Sequence, residues 1–275
     1  MAICDITSHA CGPANFHYFP TMPKTRKPTR SRQTPRSSRT YDVLSIGAHP
    51  DDVEVGTGGV LIRLADLGHR VGIIYLTQGE MGTGGTPSIR RREAEDAARI
   101  MGADLVKRFD WGDTKLVDSY EHRVAVAKLI RRYKPRIIFA PHWDGFTGRR
   151  QSHPDHLATG RIVMNAANLA TLIKLGGEHT AHRTGAIYHY FLPSGVSPSF
   201  VVEITPQFER WMAALSAHRS QFLNPKKSRD YLWSLETNAR THGARIGVKY
   251  GQGFLSAEPL RIDNPMELVQ GDQVT

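Results

Sequence analysis

Apolar and polar positions divide the chain into alternating strand-like and helix-like stretches. Asp42–Ala48 is an apolar, β-rich run that ends at His49, the pattern of a buried strand. Gly58–Leu67 has helical spacing and stops at Gly68. Arg70–Thr77 reads as a second buried strand. Gln78–Ser88, with four glycines and Pro87, reads as a loop. Ile89–Met101 predicts a helix closed by Gly102, and Asp104–Phe109 a short strand. Tyr120–Tyr133 predicts a helix followed by Pro135, and Arg136–Ala140 another strand. Pro154 opens a helix that runs to about Leu175. After Gly185 the pattern predicts strands at Ala186–Leu192 and Phe200–Ile204. Helices follow at Pro206–Gln221 and Arg229–His242, then a Gly-rich segment, Gly247–Phe254. Strands alternating with helices predict an α/β, Rossmann-like fold: a mostly parallel sheet with helices on both faces.

Composition changes this picture at one end. Residues 21–40 are rich in Pro, Thr, Ser, Arg and Lys, too polar to offset their ordering entropy. The expected organisation is a basic, disordered extension over 1–40 and one domain over 41–275. The net charge of +10 would suggest nucleic acid, but its distribution argues against that. Residues 1–40 carry seven basic side chains against one acid, a surplus of six that leaves +4 for the other 235 residues. Both cysteines, Cys4 and Cys11, lie in the extension, so a metal in the body must use His and carboxylate. No apolar run approaches the roughly 20 residues of a membrane span, and no secretory core is evident. A cytoplasmic protein with no membrane partner is expected.

The chemistry concentrates in two short segments. In an open α/β sheet, ligands bind beyond the carboxyl ends of the strands. Ala48-His49-Pro50-Asp51-Asp52 follows the first strand, and His153-Pro154-Asp155-His156 follows the Arg136–Ala140 strand. Asp51 and Asp52, if extended, point to different sides. His153 and His156 share a face if they sit on one helical turn. A catalytic zinc takes about three protein ligands and keeps one position open. His49, Asp52 and His156 would supply that set, one zinc per chain. Asp51 would then serve as general base, His153 as oxyanion stabiliser or acid, and Asp155 would orient one imidazole.

At these residues the chain resembles the LmbE-like, or PIG-L, family of zinc-dependent N-acetylglucosaminyl deacetylases. Ala48–Asp52 and His153–His156 match the family's two hallmark segments. The likeness continues through Thr77-Gln78-Gly79-Glu80 and Arg90-Arg91-Arg92-Glu93-Ala94, and covers most of residues 42–175. The resemblance implies zinc on His49, Asp52 and His156, Asp51 as base, and His153 as acid or oxyanion stabiliser oriented by Asp155. It implies sugar contacts from Arg90, and from Glu80 and Asp113. For Glu80 the residues alone suggest capping of the following turn instead. Ser220-Gln221-Phe222 and Ile246–Phe254 resemble the bacillithiol-biosynthesis branch, implying N-acetylglucosaminyl malate as substrate and, by analogy, a homo-hexamer. Ser152 departs from that branch, where Arg is common, and Arg149 and Arg150 lie nearby instead. Alternatives are deacetylation of another N-acyl sugar (a chitobiose or an antibiotic intermediate) and a non-enzymatic sugar- or nucleic-acid-binding protein using the basic tail. The glycine loop Gly79–Gly85 lacks a following Lys-Ser/Thr, so it reads as a mobile lid rather than a phosphate loop. His142, His179, His182, His189, His218 and His242 read as surface or core imidazoles.

Overall fold

The computed structural model describes residues 40–145, 153–224 and 230–268. The basic extension before Thr40, both cysteines, and Arg149, Arg150 and Ser152 lie outside the described residues. The two runs with the most continuous apolar character become β1 (Val43–Gly47) and β2 (Val71–Tyr75), buried at every position. With β3 (Asp104–Arg108), β4 (Ile137–Pro141), β5 (Ala186–Tyr190), β6 (Phe200–Glu203) and β7 (Gly251–Ser256) they form one sheet, ordered β3-β2-β1-β4-β5-β7-β6. Strands β1 to β5 pair in parallel. β7 runs antiparallel to both β5 and β6.

Side-chain alternation along the strands separates two cores. Val43, Ile73, Tyr75 and Phe139 face α1 (Asp52–Asp66), α2 (Pro87–Met101) and α5 (Phe208–Ala217). Leu44, Ile46, Ile74, Ile138 and Ala140 face α3 (Tyr120–Tyr133) and α4 (Pro154–Ala170). The expected α/β sheet with helices on both faces is therefore present. From β1 the chain winds outward through β2 and β3, then returns to place β4 on the other side of β1. That reversal makes a crevice at the carboxyl ends of β1 and β4. No helix among the described residues is long and apolar enough to cross a membrane.

Four expectations change. Helix α1 begins at Asp52 rather than Gly58, despite three glycines that lower helix propensity. Gly56 is required there by close approach: a Cβ on it would lie 2.1 Å from Tyr190 Cδ2. Tyr190 is 1% exposed and its hydroxyl donates to Ile46 O at 2.8 Å, so the ring cannot step aside. Gly56→Ala is expected to destabilise by about 1–3 kcal/mol through overpacking, outweighing its gain in helix propensity. Thermal unfolding checks this; an unchanged or raised Tm would refute it.

The expected helix Pro206–Gln221 breaks at His218 (ψ 59), leaving α5 and a single turn, α6 (Arg219–Phe222). The break coincides with burial of His218 beside Glu54, with Nε2 3.2 Å from Glu54 Oε1. This is a charge contact rather than an aligned hydrogen bond. The Gly247–Phe254 stretch, read as Gly-rich, carries most of strand β7, which runs on to Ser256. Its glycine at 253 admits the His242 ring of α7 (Tyr231–Ala244): a Cβ there would lie 2.8 Å from His242 Cε1. Finally, the helix from Pro154 ends at Ala170, and a 3-10 turn occupies Ile173–Leu175.

Candidate active site

The two expected segments meet at the switch point. His49 follows β1 by two residues. His153 caps α4 and brings His156 onto its first turn. The rings of His49, His153 and His156 lie with centroids 4.8–5.5 Å apart. Each offers a nitrogen within 4.8 Å of the others, a grouping able to hold a metal. Asp52 joins them. Its Oδ2 accepts the His49 amide at 2.8 Å and lies 3.3 Å from His49 Nδ1, while its Oδ1 lies 3.0 Å from His156 Nε2. Each His–Asp52 contact is thus close on a side facing the cluster.

The other nitrogen of His49 is held from behind. Nε2 lies 3.0 Å from Asp113 Oδ1 and 3.3 Å from Asp155 Oδ2. Asp113 arrives on the turn after β3, where Trp111 stacks between Phe109 and His122 at 4.1 and 3.9 Å. Burial alone would pull the His49 imidazole down, but Asp52, Asp113 and Asp155 outweigh it and push it up to about 12. Burial would raise Asp52, but His156 and His49 hold it well below the usual carboxylate range. A proton on His49 therefore supplies positive charge that three carboxylates demand. A divalent cation satisfies the same demand, and this donor set of imidazoles and carboxylate suits zinc.

Asp51 is the N-cap of α1, with a positive φ of 122°. It is not extended, as the sequence reading assumed, yet it still diverges from Asp52. Burial, with Asp52 adding to it, pushes the Asp51 carboxyl up to about 6, against the pull of Arg90. Arg90 makes contacts that the resemblance did not name. Its buried guanidinium donates to Gly79 O at 2.7 Å and Pro50 O at 2.6 Å, and lies 3.4 Å from Asp51 Oδ2. It braces the loops around Asp51 rather than presenting an open face to a sugar. Glu80 accepts the Asp113 amide at 2.7 Å, which ties it to the turn that carries Asp113, and Met81 N donates to Asp113 Oδ2 at 3.0 Å. With Gly84 O accepting Gln221 Nε2 at 2.6 Å, the glycine loop is pinned rather than a free lid.

Asp155 lies against a different imidazole from the one the resemblance implied. Its carboxylate meets His49 and accepts Thr114 N at 2.7 Å. Its backbone amide, not its carboxylate, donates to His153 Nδ1 at 3.2 Å. That bond leaves the hydrogen of a neutral His153 on Nε2. Burial and the charges of His49 and His156 lower the His153 pKa, favouring this neutral form. Carboxylates behind a ligating His commonly sustain its metal affinity. Asp113→Asn is expected to weaken metal binding roughly 10- to 100-fold, measured by competition with a chelating dye. An unaltered affinity would remove Asp113 from this role.

Two neighbours were not singled out by sequence. Phe191 has φ 56° and stacks on His156 with centroids 4.8 Å apart. Glu54, fully buried one turn into α1, accepts Tyr75 Oη at 2.7 Å and faces His218. The visible signal for Glu54 was an acid inside the apolar Val53–Val60 stretch. Nothing local marks Phe191 or pairs His218 with Glu54.

Fold and site define a class: a doubly wound α/β protein with a His/Asp cluster, able to take a metal, at its switch point. Residues 44–167 match the PIG-L family, described as GlcNAc-PI de-N-acetylase. The diacetylchitobiose deacetylase of Thermococcus kodakarensis is 32% identical over 77% of this chain and 81% of its own length. A probable N-acetyl-alpha-D-glucosaminyl L-malate deacetylase 2 of Bacillus cereus is 28% identical over 65% and 83%. The crystal structure of the conserved protein TT1542 from Thermus thermophilus is 37% identical, with a TM-score of 0.72 over 81% of this chain and 97% of that one. The chain belongs to the PIG-L, or LmbE-like, family, and with it to the hydrolases that cleave amide bonds.

Proposed function

We propose that the protein removes acetate from an N-acetylglucosamine-bearing substrate, with a chitobiose-type disaccharide favoured over the malyl conjugate. The observation that carries the reading is Asp51 and His153 flanking the His49–Asp52–His156 cluster. His49, Asp52 and His156 would hold the metal, with zinc the species their chemistry suits. When bound, zinc supplies Lewis-acid polarisation and makes water easier to deprotonate. Asp51 takes the proton from water, whose oxygen adds to the acetamide carbon. His153 Nε2–H faces the negative oxygen that develops. The C–N bond then breaks, and the proton passes to the departing amine, leaving acetate and a free glucosamine nitrogen. Asp113 and Asp155 hold His49, Arg90 holds Asp51, and Glu80 holds the turn bearing Asp113.

The disaccharide is favoured because the chitobiose relative is the more similar of the two over a longer stretch. The malyl conjugate of the bacillithiol branch is the second reading, favoured by the Ser220–Phe222 and Ile246–Phe254 segments. Acetate release should be measured on N,N'-diacetylchitobiose, N-acetylglucosamine and N-acetylglucosaminyl malate, before and after chelation. Release is expected to cease with chelation and return with added zinc. Undiminished release from chelated, metal-free protein would sink the metal-dependent reading.

A further inference from the structure

Beside the metal cluster lies a cavity of about 430 Å³ that the reaction as described does not use. It falls within the size range of small-molecule sites. Phe191 belongs to both places: its ring stacks on His156, and the residue is part of the cavity lining. The cavity therefore begins where the cluster's far wall ends. The floor is apolar and rigid, with Trp211 and Tyr190 each at most 2% exposed. Trp211 Nε1 donates to Glu54 O at 2.7 Å, which ties the floor to the same helix that carries Asp52.

Part of the lining is polar, for a reason visible in the sequence. Asn238, Thr241 and His242 of α7 and Arg245 at its C-cap follow the i, i+3, i+4, i+7 spacing of one helical face and line the cavity, alongside Leu235 and Ala239. A lining that combines aromatic and aliphatic surface with amide, hydroxyl, imidazole and guanidinium groups matches a sugar ring. A pyranose offers C–H faces to the first and hydroxyl edges to the second. A dicarboxylate is poorly matched. Arg245 is the one permanently charged residue among the described lining residues, and burial with the nearby Arg245 charge lowers the His242 pKa.

We propose that this cavity is a second sugar subsite, taking the pyranose linked to the ring whose acetamide reacts, with Phe191 as the divider between the two. The assignment rests on the deacetylase reading and names which conjugates the site prefers. It makes Asn238 and Thr241, both exposed on α7, specificity residues rather than catalytic ones.

The test is calorimetric titration of the full-length, metal-free protein with N,N'-diacetylchitobiose and with N-acetylglucosamine. The disaccharide is expected to bind roughly tenfold more tightly, the worth of one or two good hydrogen bonds. Asn238→Ala combined with Thr241→Ala should erase most of that preference, with circular dichroism confirming the fold. Thr241→Trp, which fills the cavity mouth, should erase it by another route. Equal affinity for the two sugars overturns the assignment, as does a preference that survives both variants or a stronger preference for N-acetylglucosaminyl malate. Acetate release by the metal-loaded protein tests the underlying reading separately. Release without disaccharide preference overturns the subsite alone; no release from any N-acetylated sugar overturns both.

Discussion

Asp51→Asn is expected to keep its metal and lose about a hundred- to ten-thousandfold in kcat, the range for removing a positioned general base. The substitution is close to isosteric, and Asn tolerates positive φ better than most residues. The contacts of Asp52 with His49 and His156 do not pass through the Asp51 side chain, so metal content should persist. The pH profile distinguishes a base from a merely structural carboxylate. Without metal, burial sets the Asp51 carboxyl near 6. The base works deprotonated, so kcat/KM should fall as pH drops through the Asp51 pKa. A nearby cation favours the carboxylate and would place this limb at or below 6. The limb should vanish in the variant. A variant with near-normal kcat, or one that retains the acid limb, would exclude Asp51 as the base.

The second large effect is on metal itself. His156→Ala should leave the purified protein with little or no metal and no measurable acetate release. His156 sits on the first turn of α4, and its ring is anchored by Asp52 on one side and Phe191 on the other. Removing it leaves two of three proposed ligands, too few for a catalytic zinc site. Elemental analysis after dialysis decides the matter; full metal occupancy in the variant would move the site onto the His49–Asp113–Asp155 grouping. The high His49 pKa adds a corollary. Metal must displace the His49 proton, so apparent affinity should rise with pH, and binding should release protons.

Much of this arrangement was readable in the order of residues, and the reasons differ by element. The helix Tyr120–Tyr133 was legible to its ends because Ser119 caps one end and the other stops just before Pro135. β1 was legible as an uninterrupted apolar run, and its end placed His49 at the crevice. The pairing of the two site segments followed from strand order alone. What was not legible depends on contacts between distant residues. Gly251 and Gly253, read only as part of a Gly-rich segment, are strand positions of close packing against Val201 and His242. The kink at His218 answers a buried acid 164 residues earlier. Which imidazole Asp155 meets was decided by the turn at Asp113–Thr114, whose path no local spacing encodes. The buried contacts of Arg90 with Gly79 and Pro50, far apart in sequence, were not legible either.

The backbone at Asp51 sets stability and activity against each other. A φ of 122° on a residue with a Cβ costs on the order of 1–3 kcal/mol, and glycine would relieve most of it. An Asp51→Gly variant is therefore expected to be the sturdier protein, with a raised Tm, and to lack the proposed base. The side chain proposed as the base thus sits at a backbone angle that folding alone would give to glycine.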